Sequence, residues 1–213
     1  MLLSDRYPFL TEYFTTLFNS ENNPLPQSIL FYGNDLDAQF VLSKEIARFL
    51  NCLKSKSDDC DCINCRWIRE DSHPAVLVYS RKDNKPDDDD SKKVISIKQS
   101  AQIKEALVSS SEFHRVFIFC DRDDEGNIAG LNHFNFQDET ANSLLKIIEE
   151  PQPGVTFIFL TRYIDDMLST IISRSQCFFV PTFNKSDYDF SLINGVFDNY
   201  WDFDRKDIFQ ISR

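Results

Sequence analysis

Short runs of consecutive apolar residues alternate along the chain with stretches whose apolar positions recur every three or four residues. Phe9, Leu10, Tyr13, Phe14, Leu17 and Phe18 make such a stripe and predict a helix within residues 6–19. A turn-rich link, residues 19–27, leads to Ser28–Tyr32, a buried strand that closes on Gly33. Asp35–Leu50 predicts a long helix with Ala38, Leu42, Ile46, Phe49 and Leu50 on one side. Ala75–Tyr79 reads as the next strand. After a charged loop, 81–93, Val94–Ile97 reads as a short extended segment entering a helix through Ile103 and Leu107. Arg115–Cys120 is a further strand, and the polar, Gly- and Asn-rich residues 122–138 read as a loop. Ala141, Leu144, Leu145 and Ile148 define a helix that Pro151 and Pro153-Gly154 stop. Val155–Leu160 is a strand, an amphipathic helix carries Met167, Leu168, Ile171 and Ile172, and Cys177–Val180 is the last strand. Residues 181–213 carry aromatics at mixed spacing and suggest two short helices. The strands are continuous apolar runs, as expected when both faces are buried. Strands alternating with helices predict an α/β domain around a mainly parallel sheet with right-handed crossovers.

Composition narrows the function classes. A chain of 213 residues suits one large domain or two small ones. It carries 23 basic against 34 acidic residues, a net charge of −11, which opposes a nucleic-acid grip through a basic face of its own. No apolar run reaches 18 residues, so no membrane span is expected. Asp5 and Pro8 interrupt the N-terminus, which is no secretory signal. The cytoplasm is the expected compartment. Four of the six cysteines fall between positions 52 and 65, whereas Cys120 and Cys177 stand alone in apolar runs. That layout suits a metal site in a reducing compartment plus two core thiols.

Three stretches carry candidate chemistry. Cys52, Cys60, Cys62 and Cys65 supply four thiolates, enough to close a tetrahedral structural zinc site without an open position. Their C-x-C pair is tighter than the commoner C-x-x-C, and His73 is a substitute ligand or, with Pro74, shapes the entry to the next strand. The strand, glycine and helix around Gly33 are the context of a phosphate-binding loop, G-x-x-x-x-G-K-[ST]. Counted from Gly33, the last three places hold Ala38, Gln39 and Phe40, so the lysine and the hydroxyl are missing. Asp35 and Asp37 put negative charge where phosphate would lie. At the end of the Arg115–Cys120 strand, where a nucleotide hydrolase places acidic Mg²⁺ ligands, Cys120 comes first and is a poor ligand; Asp121 follows. No ATP or Mg²⁺ is therefore expected here. Arg174, in Ser173-Arg174-Ser175-Gln176, reads at face value as a helix-end cation.

Taken together, these residues resemble the bacterial DNA polymerase III clamp-loader subunits, most of all their delta-prime branch. The likeness is carried by SILFYG with the helix ending in Leu50-Asn51-Cys52, by Cys60-x-Cys62-x2-Cys65 with His73-Pro74, and by the Arg115–Asp123 strand end. Ala141-Asn142-Ser143-Leu144-Leu145-Lys146-Ile147-Ile148-Glu149-Glu150-Pro151 is close to the family's ANALLKTLEEP, and the strand to Thr161 stands where the family has sensor 1. Ser173-Arg174-Ser175 replaces the family's Ser-Arg-Cys, and the whole match covers about residues 25–180. The resemblance implies an AAA+ Rossmann-like domain over residues 1–180, with a zinc module inserted at about 52–70. It implies the start of a helical lid over 181–213, and a family collar domain that this sequence does not contain. It further implies a subunit without its own nucleotide that acts beside gamma/tau and delta to load the sliding clamp on primed DNA. Arg174 then serves in trans on the neighbour's ATP. Two other readings stay open: an active gamma/tau-like ATPase with an unorthodox phosphate loop, and a zinc-containing nucleic-acid-binding module.

Overall fold

The computed structural model describes residues 7–19, 26–57, 59–80, 97–108, 111–123, 125–132, 146–149 and 152–182. All but Thr182 lie in one compact unit, Met1–Pro181. The described elements are α1 (Pro8–Asn19), β1 (Ser28–Tyr32), α2 (Leu36–Asn51), α3 (Ile63–Arg69), β2 (Val76–Tyr79), α4 (Ile97–Val108), β3 (Arg115–Phe119), β4 (Asp121–Arg122), β5 (Ile128–Ala129), β6 (Val155–Thr161), a 3₁₀ turn (Ile164–Asp166), α5 (Ser169–Ile172) and β7 (Gln176–Phe179).

Five strands form one sheet in the order β2-β3-β6-β1-β7, every neighbouring pair parallel. The α/β reading holds, and its reason is visible in the register. Phe117 faces Phe157, Phe119 faces Phe159 and Tyr79 faces Phe119. In-register parallel pairing therefore lays these rings against each other. Their centroids are 5.2, 4.9 and 5.6 Å apart and the rings are within 21° of parallel. Stacks of this kind add about 0.5–1.5 kcal/mol each beyond area burial. This aromatic face packs against Ile103 and Leu107 of α4, and against Ile148, Met167 and Ile171. The alternate residues Ile29, Phe31, Val116, Ile118, Ile158 and Leu160 face the other way, onto α1 and α2. The strands are thus buried on both sides, as their unbroken apolar runs require.

Several expectations need correction. In α1, Phe9 is 58% exposed, while Leu10 and Phe14 are buried together with Tyr7 just before the helix. The stretch expected as a loop, 122–138, opens inside an antiparallel hairpin of β4 with β5, and Leu131 bridges to Thr161. Two-residue strands are too short for a periodicity to announce them. Ile97 is helical rather than extended. The helix expected through Met167 and Leu168 is a 3₁₀ turn, an extended Leu168 (φ −60°, ψ 130°) and the single turn of α5. Met167 and Ile171 still reach the core, because a turn plus one helical cycle places them on one side as well as a continuous helix does. Residues 146–149 are helical with Ile148 buried. The rest of that predicted helix, the 81–93 loop and the two helices expected in 181–213 lie outside the described residues.

Gly33 ends β1 at φ +133°, and a Cβ built there would lie 2.2 Å from the Val180 carbonyl oxygen. Gly33→Ala is expected to lower the unfolding free energy by about 2–4 kcal/mol, combining a left-handed backbone with a backbone clash. Equilibrium urea unfolding measures it, and a change within about 0.5 kcal/mol, the usual range for a neutral surface site, would contradict the close approach.

Candidate functional site

The four clustered cysteines meet at the junction of α2 and α3. Cys52 is the C-terminal cap of α2, and Cys62 caps the N-terminus of α3, with Cys65 in its first turn. Cys60 and Cys62 are buried on either side of the exposed Asp61, and both of their sulfurs belong to the cluster. All four Sγ atoms lie within 4.8 Å of one another, with Cys52–Cys60 at 3.5 Å and Cys52–Cys62 at 4.0 Å. A tetrahedral zinc with bonds near 2.3 Å requires sulfurs about 3.8 Å apart. The donor set fits that ion, and His73 is not part of it. The His73 ring is buried between Trp67 and Phe113, and its Nδ1 accepts from the Ala75 amide. Its role is at the entry to β2.

The electrostatics of the cluster favour the thiolate at Cys62 and Cys60 and oppose it at Cys65. Burial pushes the Cys62 thiol up, but the amides of Cys65 and Leu53 and the thiols of Cys65 and Cys60 outweigh it, bringing the group down to about 6. The Cys62 amide likewise draws Cys60 down. Burial pushes Cys65 up, and its cysteine neighbours add to that. Around the sulfurs stand polar groups that sequence periodicity assigned to no role. Arg48 is buried and donates to Glu45 and to the Ser57 carbonyl. The Asn51 side chain donates to the Ala47 and His114 carbonyls and accepts from the His114 amide, tying the end of α2 to the start of β3. Asn64 of α3 donates to the Asn51 carbonyl at 2.8 Å.

At its other end α2 begins only three residues after β1, at Gly33-Asn34-Asp35. The Asp35 carboxylate caps the helix, accepting from the Ala38 amide at 3.0 Å, while its second oxygen accepts from the Tyr7 hydroxyl at 2.6 Å. Gln39, in the place of the phosphate-loop lysine, is fully buried. Its Nε2 donates to the Gly33 carbonyl at 2.9 Å and to the Thr161 carbonyl at 3.1 Å, joining the ends of β1 and β6. The ends of β3 and β6 complete this edge. Cys120 is buried, and the Asp121 carboxylate accepts from the Arg122 amide at 2.8 Å. The buried Thr161 hydroxyl lies 2.8 and 3.0 Å from the Leu131 and Tyr163 carbonyls. Sequence reasoning found Asp35 and Gln39 but missed Tyr7, whose aromatic ring gives no sign of a hydroxyl aimed at a helix start.

Arg174 lies just after α5 with its guanidinium partly exposed. It pairs with Glu149 at 2.5 Å and donates to the Thr170 carbonyl at 3.0 Å and the Ser173 hydroxyl at 3.2 Å. Ser175, where the resemblance expects cysteine, meets the Ser28 hydroxyl at 2.7 Å and so fastens this loop to the start of β1. Arg174 is far along the sequence from the cysteines and shares no described contact with them.

A family model described as DNA polymerase III, delta subunit, matches residues 11–184. The chain belongs to the DNA polymerase III delta-subunit family. The DNA polymerase III subunit delta' of Bacillus subtilis (strain 168) is 30% identical over 170 residues, covering 75% of this chain and 44% of that protein. A DNA polymerase III gamma subunit-related protein from Thermotoga maritima shares the fold, with a TM-score of 0.51 and 21% identity over 84% of this chain and 47% of that one. The chain thus spans just under half the length of these relatives.

The cluster's first proton is expected to leave near pH 6, because the Cys62 amide partners favour its thiolate. In reduced, metal-free protein the thiolate absorbance near 240 nm should gain one equivalent around that pH and lose that step in Cys62→Ser. No thiolate below pH 8 would contradict the arrangement. The sign follows for metal uptake, which weakens as pH falls through this range and protons compete for the sulfurs.

Proposed function

We propose that the chain is a delta-prime-like subunit of the DNA polymerase III clamp loader that holds no nucleotide of its own and serves the ATP of a neighbouring subunit. The observation that carries this reading is the closed junction between β1 and α2. A helix N-terminus attracts phosphate through its free amides and positive dipole end. Here a resident carboxylate takes the Ala38 amide, and the three-residue link leaves no loop of the G-x-x-x-x-G-K-[ST] length. The Gln39 amide occupies the lysine's place and bonds the strand ends instead. At the end of β3, one strand beyond β6, Cys120 stands where an acidic Mg²⁺ ligand would be needed. These features favour a nucleotide-free subunit over the active, gamma/tau-like alternative.

Arg174 suits action in trans. Its pairing with Glu149 is an exposed one, worth about 0–1 kcal/mol, so releasing the guanidinium toward a neighbour's γ-phosphate costs little. In phosphoryl transfer such a cation stabilises charge spreading over the transferred group and needs no nucleotide in its own subunit. Gamma/tau and delta are the partners in this reading, and the sliding clamp and primed DNA are reached through the assembly. The net charge of −11 disfavours a separate nucleic-acid-binding module. Cys52, Cys60, Cys62 and Cys65 hold a structural Zn²⁺, consistent with a reducing cytoplasm. No helix among the described residues is long and apolar enough to cross a membrane. Residues 1–180 form the AAA+ domain of this account and 181–213 open its lid.

In a reconstituted loader, Arg174→Ala is expected to slow ATP hydrolysis at the adjoining site on the order of 10³-fold. The same change should alter the stability of the isolated chain by no more than about 0.5 kcal/mol, as for a surface residue. Steady-state ATPase with the variant subunit measures the first effect, and an unchanged rate would sink the trans role.

A further inference from the structure

The guanidinium of Arg174 already has an anionic partner within its own chain. Nη2 donates to Oε1 of Glu149, and Nη1 donates to the Thr170 carbonyl at 3.0 Å and the Ser173 hydroxyl at 3.2 Å. Glu149 and Arg174 stand 25 residues apart, yet the core fixes their meeting. Ile148, beside Glu149, is buried in the same apolar cluster as Ile171, whose carbonyl accepts the Arg174 amide at 3.1 Å. The carboxylate and the cation are therefore carried on two elements that pack into one core. The backbone behind the arginine is fastened too. The Ser175 amide donates to the Ile172 carbonyl at 3.3 Å, and the Ser175 hydroxyl meets that of Ser28 at 2.7 Å. What stays free to change partner is the side chain itself. Its ion pair is open to water, with Arg174 34% and Glu149 45% exposed.

A phosphate and Glu149 compete for the same donors. A guanidinium offers a planar fork that grips carboxylate and phosphate oxygens alike. With Nη1 turned to Thr170 and Ser173, Nη2 has to leave Glu149 before the fork can close on a phosphate. A carboxylate left beside the incoming phosphate would repel it, so the two anions exclude each other. A contact made only by the disengaged side chain lowers the fraction of molecules ready to engage, and so lowers the apparent efficiency of engagement.

We propose that Glu149 is a positioning residue for the trans reaction: the resting counter-ion of Arg174, which holds the guanidinium until a neighbour's phosphate displaces it. This inference rests on the trans role of Arg174 proposed above. One exposed ion pair sets the size of the effect, about two- to five-fold in the readiness of the arginine.

The test places Glu149→Gln, Arg174→Ala and the double variant in the reconstituted loader and measures kcat and KM for ATP at steady state. Glu149→Gln keeps the shape and removes the charge. It is expected to raise kcat/KM about two- to five-fold and to leave the melting temperature of the isolated chain unchanged. Glu149→Asp, which keeps the charge on a shorter arm, should fall between wild type and Glu149→Gln. In the Arg174→Ala background the Gln substitution should change nothing, because no guanidinium is left to release. A lower kcat/KM in Glu149→Gln would mean that the carboxylate aims the arginine instead of holding it back, and would overturn the proposal. An unchanged value would overturn it too, as would a gain that persists without Arg174. Arg174→Ala with an undiminished rate would remove the trans role and this inference together, whereas a slowed Arg174→Ala beside an inert Glu149→Gln defeats this inference alone.

Discussion

The Asp35 carboxylate at the start of α2 is the contact on which this molecule turns. A helix of sixteen residues presents a strong positive end, and the usual occupant of such an end, after a parallel strand and a glycine, is a phosphate. Here the occupant is covalently part of the chain. The carboxylate satisfies the Ala38 amide and binds the Tyr7 hydroxyl, which reaches on to the Pro181 carbonyl. Gln39 stitches β1 to β6, and Gly33 lets the Val180 backbone approach where no side chain fits. One short junction therefore ties together α1, β1, α2, β6 and the chain just beyond β7. A nucleotide would have to displace a network that the fold itself uses.

The opposite end of the same helix carries the cysteine cluster. Arg48, Asn51 and Cys52 stand at its last turn with three separate roles. Cys52 offers a metal ligand, Arg48 a buried cation, and Asn51 a tether to β3. The two ends of α2 share a logic. Polar side chains are buried at both, and each replaces a component that a catalytic nucleotide-binding subunit would recruit from outside, or stabilises one that a small loop-rich module needs to fold. With local ATP chemistry closed off on this account, the chemistry left to the chain is the outward-facing guanidinium of Arg174, steadied by Glu149 and by a loop anchored through Ser175 and Ser28.

The sheet was legible in the sequence because each strand is an unbroken apolar run, and the cysteine cluster because four thiols crowd a Cys-poor chain. That Gln39 stands in the lysine's place and Cys120 at the strand end was legible by counting from Gly33 and along the apolar run. What escaped was polar burial. Polarity alone would send Gln39, Ser43, Arg48 and Asn51 to solvent, yet all four are buried: Gln39 and Ser43 fall on or beside the apolar stripe of α2, and Arg48 and Asn51, off it, meet the cysteine loop and the start of β3, whose carbonyls need donors. The β4–β5 hairpin and α3 were too short for any period to appear. The broken run through Met167 and Leu168 shows the converse: helical spacing of buried residues does not require a helix when a tight turn gives the same facing.

The central claim is that the α2 N-terminus is closed to nucleotide, and titration of the chain with a fluorescent ATP analogue tests it most directly. No saturable binding is expected, with or without Mg²⁺. Mg²⁺-dependent binding with a micromolar dissociation constant would contradict the closed junction and restore the reading of an active ATPase subunit.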